Sequence, residues 1–130
     1  MENMNLKSKI IDFLSVLEGY HETCKMLHWA STIHNEHELL DTIDKKVLEI
    51  EDRFAEASMG KLNTRFGLGD IKAMLPNAKT PTEMLKELES DTIDMKKTIG
   101  DGIEMSGLQN ILDDLLESIN TYQYLITFAK

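Results

Sequence analysis

The sequence predicts an all-α chain folded as one four-helix bundle, with a long crossover between helices two and three that contains a short helix. Three observations carry that expectation. Four stretches place apolar residues at helical spacing, start and stop signals separate them, and the connection from Lys61 to Thr80 is far longer than a helix hairpin needs. At 130 residues the chain has room for a single domain, 1–130, around one core.

The first helix is expected from about Asn5 to Ser31, where Ile10, Phe13, Leu14, Leu17, His21, Cys24 and His28 recur on one face. His21, Cys24 and His28 alone are an incomplete zinc set, and a histidine and a thiol packed with satisfied hydrogen bonds is the simpler reading of His21 and Cys24. His28 stands where the first helix hands over to the second, and Trp29 beside it reads as a large packing residue. Ser31 to His34 makes the turn. The second helix is expected from Asn35, a good N-cap, to Met59, with Gly60 as its stop. Lys61 to Thr80 carries Gly67, Gly69 and Pro76 around an apolar piece, Asp70 to Leu75, expected to be the brief helix of the crossover. No Gly-Lys-Ser/Thr follows those glycines, so it is no phosphate loop. A crossover this long lets helices two and three run parallel, as ferritin-like bundles do. Thr80-Pro81-Thr82-Glu83 opens the third helix with an N-cap, a proline at the first position and a capping-box glutamate; Met84, Leu85, Leu88, Met95 and Ile99 follow, and it ends around Gly100 to Met105. Ser106-Gly107-Leu108-Gln109 reads as a second capping box. Leu108, Ile111, Leu112, Leu115, Leu116, Ile119, Tyr122, Leu125 and Ile126 then form the clearest apolar stripe in the chain. The scattered methionines read as core filler.

The formal charge of -9 argues against nucleic-acid binding, which needs clustered Lys and Arg, and suits a protein that attracts cations. No apolar run approaches a membrane span. Asp12 interrupts the apolar run after the leading lysines and no small-residue cleavage pattern follows, so no signal peptide is expected. The lone Cys24 fits a reducing cytosol, and the expected location is cytoplasmic.

The chemistry concentrates in the second helix. His37/Asp41 and Asp52/Glu56 are two i,i+4 pairs of metal-capable side chains, each projecting from one helical face. At about 100° per residue, Leu40, Ile43, Val47, Ile50 and Phe54 form one stripe and these four residues another, displaced by roughly 150°. Asp41 and Asp52 lie about 16 Å apart along the axis, too far to share one metal cluster within a chain. Two such helices crossing antiparallel about a two-fold axis near Lys46 and Val47 would set the His37/Asp41 pair of each opposite the Asp52/Glu56 pair of the other, giving two equivalent sites. Leu48 and Ala55 fall inside the polar stripe, where an interface would bury them. Carboxylates alone on a helix are most often a solvated face; His37 at this spacing, with His28 upstream, points to a site. Glu49 and Glu51 lie off the cluster and are expected to be solvated. A di-iron site within the bundle would need Glu-x-x-His on two helices. Glu18-x-x-His21 supplies one, and the last two helices contain no histidine.

His28-Trp29, His37-Glu38-x-x-Asp41, Asp52-x-x-x-Glu56 and Gly60, taken in order, resemble the signature of the Dps proteins, the miniferritins, and the likeness extends over most of the chain through the lengths and order of the later segments. The resemblance implies a ferritin-like four-helix bundle that assembles through a two-fold dimer into a dodecameric shell. It implies an iron-storage and detoxification protein of oxidative stress, a ferroxidase that oxidises Fe(II) with hydrogen peroxide or dioxygen and holds ferric mineral inside. In the family pattern His28, His37 and Asp41 would be catalytic metal ligands from one subunit and Asp52 and Glu56 from its partner, with Trp29 beside the site. Zinc accepts the same ligands as iron. The family sets its two histidines farther apart with a glycine in the turn; here they are closer, that glycine is absent, and His34 stands between them. The lysine-rich amino-terminal extension by which some members bind DNA is also missing, so DNA binding is not expected. The shortened spacing supports a second expectation, a ferritin-like structural or assembly protein with a degenerate, non-catalytic site.

Overall fold

The computed structural model describes the backbone from residue 2 and the side chains from residue 5, both through residue 130. Four helices pack together: α1 (Glu2–Ala30), α2 (His34–Leu62), α3 (Pro81–Ile99) and α4 (Ser106–Ile126), the last preceded by a 3-10 turn, Ile103–Met105. There is no strand among the described residues, and no helix there is long and apolar enough to cross a membrane.

The apolar stripes become the core. Leu40, Ile43, Val47, Ile50 and Phe54 are all fully buried on α2, against Ile10, Phe13, Leu14, Leu17 and Tyr20 of α1. Phe13 meets Phe54 edge to face, ring centroids 5.5 Å apart. Met84, Leu85, Leu88, Met95 and Ile99 of α3 and Leu108, Ile111, Leu112, Leu115 and Ile119 of α4 close the other side.

Paired residues give the directions. His21 meets Asp44 and Lys7 meets Thr64, so α1 and α2 are antiparallel. Cys24 meets Met84 and Tyr20 meets Asp91, so α1 and α3 are antiparallel as well. Both α2 and α3 oppose α1, which leaves them parallel to each other. Asn35 meets Lys130 and Lys46 meets Asp114, Gln123 meets Glu89 and Lys96 meets Asp113, so α4 runs against both.

Several local expectations are corrected. The short helix expected at Asp70 to Leu75 is not formed: the stretch is irregular and its backbone bonds to α1 instead, Met74 N–H to the Ser15 carbonyl (3.0 Å) and Lys72 N–H to Ser15 Oγ (3.3 Å). Gly19 permits that approach, because a Cβ there would collide with the Met74 carbonyl. Helix α2 runs through Gly60 to Leu62 and is ended by Asn63 at φ 50, the residue that best replaces glycine in the left-handed position. Its N-cap is Ile33, without a side-chain bond, while Asn35 donates to the Lys130 carbonyl. Thr80 caps α3 as expected, accepting from Glu83 N–H and donating to the Glu83 carboxylate. Ser106 and Gln109 form no capping box: Ser106 donates to the Ile103 carbonyl, and Gln109 Nε2 to those of Lys96 and Gly100, closing the α3 carboxyl end.

Candidate metal centre

His28 lies in the last turn of α1 and His37 in the first of α2, joined by the short turn through Ser31 and Ile33. That shortness brings the two rings face to face, centroids 3.6 Å apart and planes 18° apart. Each ring also bonds the other residue's backbone: His28 Nδ1 lies 2.6 Å from the His37 carbonyl, and His37 Nδ1 lies 2.6 Å from the His28 carbonyl. A carbonyl oxygen only accepts, so both Nδ1 atoms donate and each neutral ring keeps its lone pair on Nε2. Metal-binding histidines are oriented by this kind of second bond. The His28 carbonyl is also among the last four of α1, which lack helical donors, so His37 caps α1.

The acidic candidates are placed differently. Asp41 pairs with Lys45 at 3.0 Å across one helical turn, with the two side chains 44% and 75% exposed, so the pair is weak. Asp52 and Glu56 are exposed, and neither makes a hydrogen bond or ion pair among the described residues. No group of three or more His, Cys, Asp or Glu that could hold a metal occurs among the described residues. One chain therefore brings His28 and His37 together and leaves Asp41, Asp52 and Glu56 outside that pair. His34 is exposed and joins neither. Trp29 is 67% exposed rather than packed, with Lys25 Nζ 5.5 Å from its ring centroid. Leu48 is 39% exposed on the same side of α2.

Two further rungs continue down the α1–α2 seam below the histidines. His21 Nδ1 lies 2.5 Å from Asp44 Oδ1, and Glu18 meets Glu51. Glu51, expected to be solvated, is half-buried, and its Oε1 is buried without a partner. Burial first, then the neighbouring Glu18 and Asp52 carboxylates, push its carboxyl up to about 8. Glu49 is exposed, as expected, and is held below the ordinary carboxylate range by its bond from Lys46. The seam was readable in principle: His37, Asp44 and Glu51 recur every seven residues, as do His21 and His28, which is the period of a helix–helix seam. Cys24 is buried against the Met84 sulfur, and burial raises its thiol, which makes it inert.

The second tie from α1, Tyr20 OH to Asp91 Oδ2 at 2.6 Å, is a partly buried α1–α3 link. A cleft of about 630 Å³ between the end of α3 and the start of α4 lies at the opposite end of the bundle from the histidines and contains none. No protein family, curated protein or solved structure matches this chain.

Proposed function

We infer that this chain is a Dps-like miniferritin, an Fe(II)-binding ferroxidase whose centre is completed by a second copy. The observation that carries the reading is the His28–His37 pair: two stacked rings whose Nδ1 atoms are tied to carbonyls, leaving both Nε2 lone pairs for a cation. Asp41, Asp52 and Glu56 follow on the outer face of α2, the last two without hydrogen-bond or ion-pair partners among the described residues. An antiparallel second α2 would set Asp52 and Glu56 of one copy opposite His37 and Asp41 of the other.

In this reading iron is the substrate. Neutral imidazoles and carboxylates with room for further ligands suit ferrous iron and its oxidation. Histidine Nε2 atoms hold the metal without adding charge, and the carboxylates favour the ferric product over the ferrous ion because they supply negative charge. Two Fe(II) each give one electron to hydrogen peroxide, which takes up two protons and leaves as two waters. The product passes to the interior of a dodecameric shell as mineral, in a cytoplasmic protein that stores iron and removes peroxide.

The test is an anaerobic Fe(II) titration of the purified protein, followed by peroxide and by air, with particle size measured on the same sample. Saturable binding, rapid oxidation and a large closed particle are expected. An intact oligomer that neither binds nor oxidises iron identifies a ferritin-like assembly protein with a degenerate site instead.

A further inference from the structure

The middle of α2 carries three cations, and they are placed differently. Lys46 bonds Glu49 and Asp114 at 3.0 and 3.1 Å, and Arg53 bonds the same two carboxylates at 3.1 and 2.7 Å. Asp114 belongs to α4, so both of these side chains are turned toward that helix. Lys45 is turned the other way, with Nζ 3.0 Å from Asp41 Oδ2. At about 100° per residue it lies within about 40° of Asp41, Asp52 and Glu56, in the middle of the arc they occupy. Helical side chains lean toward the amino end, so an ammonium at position 45 reaches back over the residue one turn earlier. No other cation pairs with Asp41, Asp52 or Glu56 among the described residues.

We propose that Lys45 is a positioning residue of the metal centre: its ammonium holds the Asp41 carboxylate, and an incoming cation must displace it to bind. The proposal rests on the shared ferroxidase centre inferred above and concerns a residue outside its ligand set.

The charges carry the argument. A centre built from Asp41 together with Asp52 and Glu56 of a second copy gathers three carboxylates, which repel one another before a cation arrives. Both histidines are neutral there and offset none of that charge. Lys45 supplies one positive charge on the same surface. An ammonium has three donors and no acceptor, so it neutralises a carboxylate without being able to ligate a metal. A cation that reaches Asp41 therefore meets Lys45 twice. The ammonium has to release the carboxylate, and it then stands beside the bound metal as a like charge. Lys45 is 75% and Asp41 44% exposed, so water screens both effects. The competition then amounts to a factor of about three to ten in metal affinity rather than thousands. An i,i+4 pair that only supports the helix would change melting and leave metal affinity alone.

The test is an anaerobic Co(II) titration, followed by the visible absorption of the bound ion, on the unmodified protein, Lys45→Met and Lys45→Arg. Methionine keeps an unbranched side chain and removes the charge, whereas arginine keeps the charge. Lys45→Met should bind Co(II) about three- to tenfold more tightly at about 50 mM salt. That gain should fall below about twofold at about 0.5 M salt, where the Debye length is about 4 Å. Lys45→Arg should stay within about twofold of the unmodified protein. Equal or weaker binding by Lys45→Met overturns the proposal, and so does a gain that salt leaves unchanged. The two ideas fail separately. Cobalt bound equally by all three proteins leaves the centre and removes the role of Lys45, whereas cobalt bound by none of them removes the centre and that role with it.

Discussion

The two ends of the outer face of α2 are built in opposite ways. At the amino end His28 and His37 are stacked and bonded through Nδ1 to each other's backbone carbonyls, which leaves both Nε2 atoms for the cation of the proposed centre. At the carboxyl end Asp52 and Glu56 are exposed and tied to nothing among the described residues. The difference follows from what one chain can stabilise. Stacked imidazoles bonded to carbonyls contribute to the fold at a helix junction, whereas carboxylates brought beside one another without a cation repel. The Glu18–Glu51 rung shows that second case within the seam. In the proposed reading, a centre divided between copies lets each half fold without the other.

That comparison can be broken most strongly by function. The Asp52→Ala/Glu56→Ala double variant should lose rapid Fe(II) oxidation by about 100-fold or more in stopped-flow absorbance. Its thermal stability should stay within about 0.5 kcal/mol, because neither side chain supports the fold. His37→Ala should lose both: oxidation falls, and stability drops by about 1–3 kcal/mol because the His28 carbonyl is left without its donor. Equal stability losses at the two ends would remove the distinction.

Away from the face, Gly19→Ala forces a methyl into the Met74 carbonyl and should destabilise by about 1–3 kcal/mol in chemical denaturation, with the crossover becoming protease-sensitive. Glu51 gives a pH dependence of definite sign. Its folded-state value of about 8 lies above the ordinary carboxyl value, so its proton favours the fold in acid, and that contribution is lost as pH rises through about 8. Melting temperature should therefore fall between pH 6 and pH 9, and Glu51→Gln should flatten the fall and stabilise by about 1–3 kcal/mol at pH 9. The smallest effect belongs to Lys45→Ala, under about 0.5 kcal/mol by the same melts, since the Asp41–Lys45 pair is solvated.

The buried stripe of α2 was legible because periodicity reports burial directly: Leu40, Ile43, Val47, Ile50 and Phe54 repeat at helical spacing and all lie in the core. Asp70 to Leu75 has enough apolar residues to read as a helix, but its fate is set by a distant partner, the Ser15 carbonyl and hydroxyl of α1 beside the bare backbone of Gly19. Gly60 looks like a stop until Asn63 is seen to take the left-handed position instead. At the candidate site the pattern placed His37, Asp41, Asp52 and Glu56 on one helix face. The burial of Glu51 had a signal in the seven-residue recurrence of His37, Asp44 and Glu51, whereas the reciprocal histidine bonds depend on how the α1–α2 turn sets the two rings, which no single-helix period encodes.

The most direct test of a centre divided between copies is complementation. A chain carrying His37→Ala and Asp41→Ala is mixed one to one with a chain carrying Asp52→Ala and Glu56→Ala, and both are unfolded and refolded together. Each mixed dimer then holds one intact site and one that keeps only His28. Random pairing should restore Fe(II) oxidation to about a quarter of the native rate, from two inactive proteins. A mixture as inactive as its components, with mixed dimers present, would show that the ligands belong to one chain and contradict the account.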